Sequence, residues 1–220
     1  AGLAAARRHK VLLSAFHNRH WDGFILRARR VVHAGTIGEV VRVEMNLGRY
    51  AAPDATWRNS RSIAGSILHD WGVHMLEYAL QLVDSQLMEV SGFVHQGFWA
   101  KRSPWKDDAL EDEGFLVARF ANGARVSLCM STIDSRPEMG WVDITGTRGA
   151  YHFAPDTWRL TRQLRGGAQT TEGKNPPSQW PRYYRNIADH LVRGTPLVIT
   201  PEWARRPIHI IDLALRSARL

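Results

Sequence analysis

From residue 88 to residue 163 the chain passes through segments that alternate in the strand manner or are rich in β-branched and aromatic residues. They lie near 88–99, 112–121, 124–134, 139–146 and 150–163, and Ala121-Asn-Gly-Ala124 between two of them is a hairpin signal. Helical periods occur before and after this block. Strands grouped in this way predict an antiparallel meander within an α+β domain.

The flanking segments fill in the expectation. Residues 1–9 read as the end of a helix, and 10–16 as a short buried strand. A helix is expected from Asp22, a capping residue, to Gly35, its stop. Residues 39–50 alternate as a strand, 65–83 read as one helix, 165–178 as a loop, and 180–193 and 201–219 as two closing helices. The predicted architecture is therefore one large, mostly antiparallel open sheet with helices on one face. Val117, Phe120, Val126, Leu128, Met130, Trp141 and Ile144 are read as offering apolar groups to both sides of the sheet. A homo-oligomer, dimer or tetramer, assembled through the helix-free face follows from that reading.

Composition bounds the function classes. The chain has 220 residues, 44% of them hydrophobic, and a formal charge of +8. Its densest basic stretches, 6–10 and 27–30, alternate with apolar residues at helical spacing and read as solvated helix faces, so no nucleic-acid partner is expected. The single cysteine, Cys129, lies in an apolar run, is read as a small packed hydrophobe and favours a reducing compartment. No apolar stretch approaches the ~20 residues of a membrane span, and no signal peptide is recognisable, so the expectation is a cytoplasmic protein without a membrane partner.

The polar residues inside the 65–83 segment carry the chemical question. On a continuous helix Asp70 and His74 would sit one turn apart on the same face, while His69 would point elsewhere. They could be an acid/base pair, since His supplies a base near neutral pH. They could be metal ligands, although no third ligand is evident and no metal is expected. They could equally be a satisfied buried polar pair. The spacing leaves these three readings open.

Five motifs in order narrow the field: Gly35-Thr-Ile-Gly-Glu-Val-Val, Trp57-Arg58, Ala64-Gly-Ser-Ile-Leu-His-Asp-Trp-Gly-Val-His74, Thr145-Gly-Thr-Arg-Gly-Ala150 and Tyr184-Arg-Asn-Ile-Ala-Asp-His-Leu-Val-Arg-Gly-Thr-Pro196. Together they resemble the C-terminal domain of the glucose–fructose oxidoreductase / inositol dehydrogenase family, written Gfo/Idh/MocA, over nearly the whole chain. Phe16-His-Asn-Arg-His-Trp-Asp22 resembles the family's Asn-Arg-Arg segment, which follows its nucleotide-binding domain.

The resemblance implies an oxidoreductase in which hydride passes between a sugar, polyol or cyclitol carbon and NAD or NADP. It makes His74 the proton acceptor from the reacting hydroxyl and Asp70 the residue that holds substrate and tunes the imidazole. Trp57 and Arg58 would lie near the sugar, and His17, Asn18 and Arg19 would approach the nicotinamide end. Residues 1–16 would be the end of a nucleotide-binding domain, and 17–220 the substrate-binding and oligomerisation domain. Several family features are missing. No Gly-x-Gly-x-x-Gly turn and no Glu-Lys-Pro occurs, Ala64-Gly65-Ser66 replaces three glycines, and Glu77 stands where Asp is commoner. These departures predict a chain without its own cofactor site and inactive alone, with about one domain's length upstream. A non-catalytic carbohydrate-binding or subunit-assembly domain is the alternative.

Overall fold

The computed structural model of the chain describes residues 2–135 and 141–219. Its strands are β1 (Val40–Gly48), β2 (Leu87–His95), β3 (Glu113–Phe120), β4 (Arg125–Ser131), β5 (Val142–Gly146), β6 (Gly149–Phe153), β7 (Thr157–Leu164) and β8 (Gly167–Lys174). They form one sheet in the order β2-β3-β4-β1-β5-β6-β7-β8. Only the β1–β4 pair is parallel among the described strands. The helices are α1 (Gly2–His9), α2 (Gly23–His33), α3 (Arg61–Ala64), α4 (Trp71–Leu82), α5 (Pro181–Arg193) and α6 (Pro201–Ser217). The α+β class and the mostly antiparallel open sheet are as the sequence predicts.

Strand alternation decides which face the helices cover. Leu116, Ala118 and Phe120 of β3, Val126 and Leu128 of β4, Val43 and Met45 of β1, Val142 and Ile144 of β5, and Tyr151 and Phe153 of β6 are buried in a single core with α2, α4 and α6. Period-2 geometry puts their strand neighbours on the opposite face. α4 is apolar almost all round, as expected of a helix packed between a sheet and other helices. α6 lies so close to β2 that a Cβ on Gly92 would stand 2.3 Å from the Ala214 carbonyl oxygen, so this contact requires glycine.

The helix-free face is not the apolar surface expected. Phe120, Val126, Leu128, Met130, Trp141 and Ile144 are all buried, and of the seven apolar residues cited for two-sided exposure only Val117 is on the open side. That side carries ion pairs instead: Arg119 with Glu89 (2.8 Å), Arg42 with Glu44 (2.6 Å), His152 with Asp143 (2.7 Å) and Arg159 with Glu172 (3.2 Å). A small apolar patch remains where Phe93, 62% exposed, meets Phe115. Half-buried Cys129 lies opposite Phe115 in the register.

Three segments differ from expectation. Residues 10–16 form no strand: they pair with no described strand, and Val11, Leu12, Leu13 and Phe16 are exposed. Residues 167–174, expected as loop, are β8, which hydrogen-bonds along β7. An edge strand wet on both faces needs no apolar alternation, so its Gln and Thr residues hid it. The 150–163 segment is two strands, β6 and β7, joined by a turn at 154–156. The first two residues of the 139–146 segment lie outside the described residues. Among the described residues no helix is long and apolar enough to cross a membrane.

Candidate active site

The segment expected as one helix over 65–83 is broken, and the break places the site. Ser60 Oγ accepts from the Ile63 amide and caps the single turn of α3, and Gly65 at φ +89° ends it. Ser66 Oγ then accepts from the Leu68 amide, and Glu111 accepts from the Ile67 amide at 3.0 Å, which pins a 3₁₀ turn over Ile67–His69. α4 begins only at Trp71. Gly72 lets this first turn approach the sheet, since a Cβ there would lie 3.2 Å from Met130 Sδ.

Asp70 therefore occupies the cap position of α4, with non-helical backbone angles, instead of a place one turn before His74. Its side chain is 55% exposed and lies 3.8 Å from the Arg58 guanidinium. Among the described residues no hydrogen bond or ion pair joins Asp70 to His74. The shared helical face is thus corrected, because the i, i+4 rule holds only where both residues are helical. His69 does point elsewhere, toward Asp212 at 3.9 Å.

Asp70, Arg58 and Trp71 line a cleft of about 500 Å³, together with Arg49, Asp54 and Asn59. Its floor includes Met130 and the buried ring of Trp141. Asp54 accepts from the Thr56 amide and hydroxyl and from Asn59, and the Thr56 bonds hold its carboxyl below the usual range. Trp57 is 53% exposed and does not line this cleft; the Arg58 guanidinium stacks on its ring at 4.5 Å. Arg19 stacks on Trp71 at 4.2 Å and reaches Asp22 at 3.4 Å, and Asn18 is half-buried beside it.

His74 sits behind Trp71, its ring edge-on to Trp71 at 6.0 Å and to His17 at 5.8 Å. Its Nδ1 is buried without a hydrogen-bond partner, and so is Nδ1 of His17. Burial lowers the His74 pKa to about 4, helped by His17 and Arg19, so the ring is neutral at physiological pH. His17 is likewise held below the ordinary histidine range, chiefly by burial.

A second, deeper polar network anchors this corner. Glu77 meets His20 Nδ1 at 2.5 Å and accepts from Gln81 at 2.7 Å and from the Trp203 indole at 3.0 Å. Asp22, expected as a helix cap, makes no cap bond; it accepts from Tyr78, Trp180 and Ser178. Trp71 and Trp141 were missed as site residues. Trp71 could have been found from its place beside Asp70 in the motif, whereas Trp141 reaches the cleft only through the register of β5 beside β1.

The comparisons with known proteins identify a family and a shared fold. The family model described as the GFO/IDH/MocA C-terminal domain matches residues 25–152. The scyllo-inositol 2-dehydrogenase (NADP(+)) IolW of Bacillus subtilis is 26% identical over 234 residues, which cover 98% of this chain and 64% of that protein. Among solved structures, yvaA from Bacillus subtilis superposes with a TM-score of 0.84 at 21% identity, covering 98% of this chain and 66% of the other. The aldose-aldose oxidoreductase from Caulobacter crescentus superposes with a TM-score of 0.81 at 18% identity, covering 99% and 64%. At such identities the two structures establish the fold. The chain spans just under two thirds of the length of these relatives.

Proposed function

This chain belongs to the GFO/IDH/MocA family through that family's C-terminal domain, and from that membership we propose that it is the substrate-binding part of an NAD(P)-dependent oxidoreductase acting on a hydroxyl of a sugar, polyol or cyclitol. The names of two relatives, an inositol dehydrogenase and an aldose oxidoreductase, support the substrate class. One observation carries the assignment to this site: Trp71 both lines the cleft and packs against the uncharged ring of His74.

In this reading Arg58, Asp70 and Asn59 hold substrate hydroxyls in the cleft by hydrogen bonds, donors and acceptors being both at hand. His74, neutral and therefore free to accept, takes the proton of the reacting hydroxyl. The same burial that keeps the ring neutral weakens its hold on the proton it receives.

No Gly-x-Gly-x-x-Gly turn occurs in the 220 residues, and the parallel pair β1–β4 has no such turn leading from strand to helix. We assign NAD(P) to a nucleotide-binding domain preceding these residues, with 1–16 as its end and 17–220 as the substrate and assembly domain. Stoichiometric micromolar binding of NAD(P) by this chain alone, in titration calorimetry, would overturn that assignment. Assembly of copies through the open sheet face is part of the same proposal, now resting on the Phe93–Phe115 patch and the surrounding charges.

The test of the reaction is His74→Ala in the enzyme that includes the nucleotide-binding domain. Turnover on polyols is expected to fall by roughly two to four orders of magnitude, the usual worth of a general base. Unchanged specific activity of the folded variant would remove the catalytic assignment.

A further inference from the structure

A reacting histidine ordinarily has its second ring nitrogen bound to a carboxylate or carbonyl, and that bond fixes tautomer and ring plane. His74 has none: its Nδ1 is buried and unpartnered, and Asp70 is turned toward Arg58. What meets the ring instead is His17, edge-on at 5.8 Å, with Trp71 on another side. His17 is itself only 7% exposed and has an unpartnered Nδ1. Its backbone is tied at both ends, the amide donating to Ala15 and the carbonyl accepting from His20, and burial packs the ring.

The surrounding charges restrict what the two imidazoles can do together. Arg19, from the same segment, already supplies one positive charge nearby. Asp22 is engaged by Tyr78, Trp180, Ser178 and Arg19. Glu77, on α4, is engaged by His20, Gln81 and, from α6, Trp203. Glu77 favours an imidazolium at either ring and Asp22 at His74, but burial outweighs them at both, His20 opposes a charge on His17, and two like charges at this separation in a poorly solvated site repel strongly.

We propose that His17 is the positioning residue of His74: packed edge-on, it sets the plane of the reacting ring and makes the two imidazoles a unit that accepts one proton. This rests on His74 being the group that meets substrate. His17 then performs the task that the motif had suggested for Asp70.

The experiment is a ring-nitrogen NMR titration of this chain with His17→Gln, and reciprocally with His74→Gln, each read within the folded pH range. In His17→Gln the His74 midpoint is expected to rise by about one pH unit or more, as for any pair coupled at that level. His74 takes its proton after His17, so in His74→Gln the His17 midpoint should stay nearly in place, and His17→Asn gives the same reading of His74 if His17→Gln does not fold. A His74 midpoint unchanged to within a few tenths of a unit in the folded His17 variant would overturn the proposal. In the cofactor-bearing enzyme, His17→Gln should move the acid limb of kcat/KM to higher pH with little change in KM. A limb that stays in place while kcat/KM falls equally at every pH would mean His17 is only structural. If instead His74→Ala leaves turnover intact while the titrations remain coupled, the assignment of His74 fails and the coupling of the pair stands.

Discussion

The Tyr78 phenol donates to Asp22 Oδ2 at 2.6 Å, with the tyrosine wholly buried and the aspartate 1% exposed. Trp180 donates to the other carboxylate oxygen at 2.6 Å, so one side chain joins α2, α4 and the start of α5. Burial and the neighbouring carboxylate push the Tyr78 pKa well above its ordinary value, which keeps the phenol a donor. Were Asp22 only a helix cap, Asp22→Ala would cost about 1 kcal/mol. Because it also leaves the buried Tyr78 phenol without an acceptor, we expect about 2–4 kcal/mol, read from urea unfolding.

Acid should destabilise the chain in a defined window. His74 has a pKa near 4 in the folded state and 6.5 as a model histidine, so between these values the unfolded chain binds more protons. Stability is therefore full above 6.5 and falls as pH drops toward 4, by up to about 3 kcal/mol from this group. His17 adds to the loss in the same direction. Urea midpoints measured across this range should fall less steeply in His74→Gln; an equal slope would contradict the buried neutral histidine.

Gly92→Ala should be destabilising by about 2 kcal/mol or more, because the new Cβ would meet the Ala214 backbone at 2.3 Å and a helix must move to admit it. Gly166→Ala is the control. Nothing lies within 4 Å of a Cβ there, and its midpoint in thermal or urea unfolding should stay close to the parent's.

Association, if it uses the open sheet face, should depend on the Phe93–Phe115 patch. Sedimentation at micromolar concentration should show a dimer or tetramer that Phe93→Glu converts toward monomer, since a charge placed beside Phe115 opposes its burial. The same oligomer in both proteins would place the interface elsewhere.

What the sequence determined is the part of the structure governed by local rules. The strand block fixed the α+β class because period-2 alternation survives wherever one face is buried. The helix stop at Gly35 and the turn at Gly123 were legible because each needs a positive φ, which glycine adopts without strain. The motif around Asp70 and His74 lies beside the cleft that Asp70 and Trp71 line. It could not say how the corner is built. Whether Asp70 pairs with His74 depended on where α4 begins, and Gly65, the Ser66 cap and the long-range Glu111 bond moved that start to Trp71. The His17 contact, the Asp22 network and the polar character of the open face also arise between segments far apart in sequence. Side chains that meet across such separations are selected by packing and by the need to pair buried polar groups, and neither is written into any one stretch of the chain.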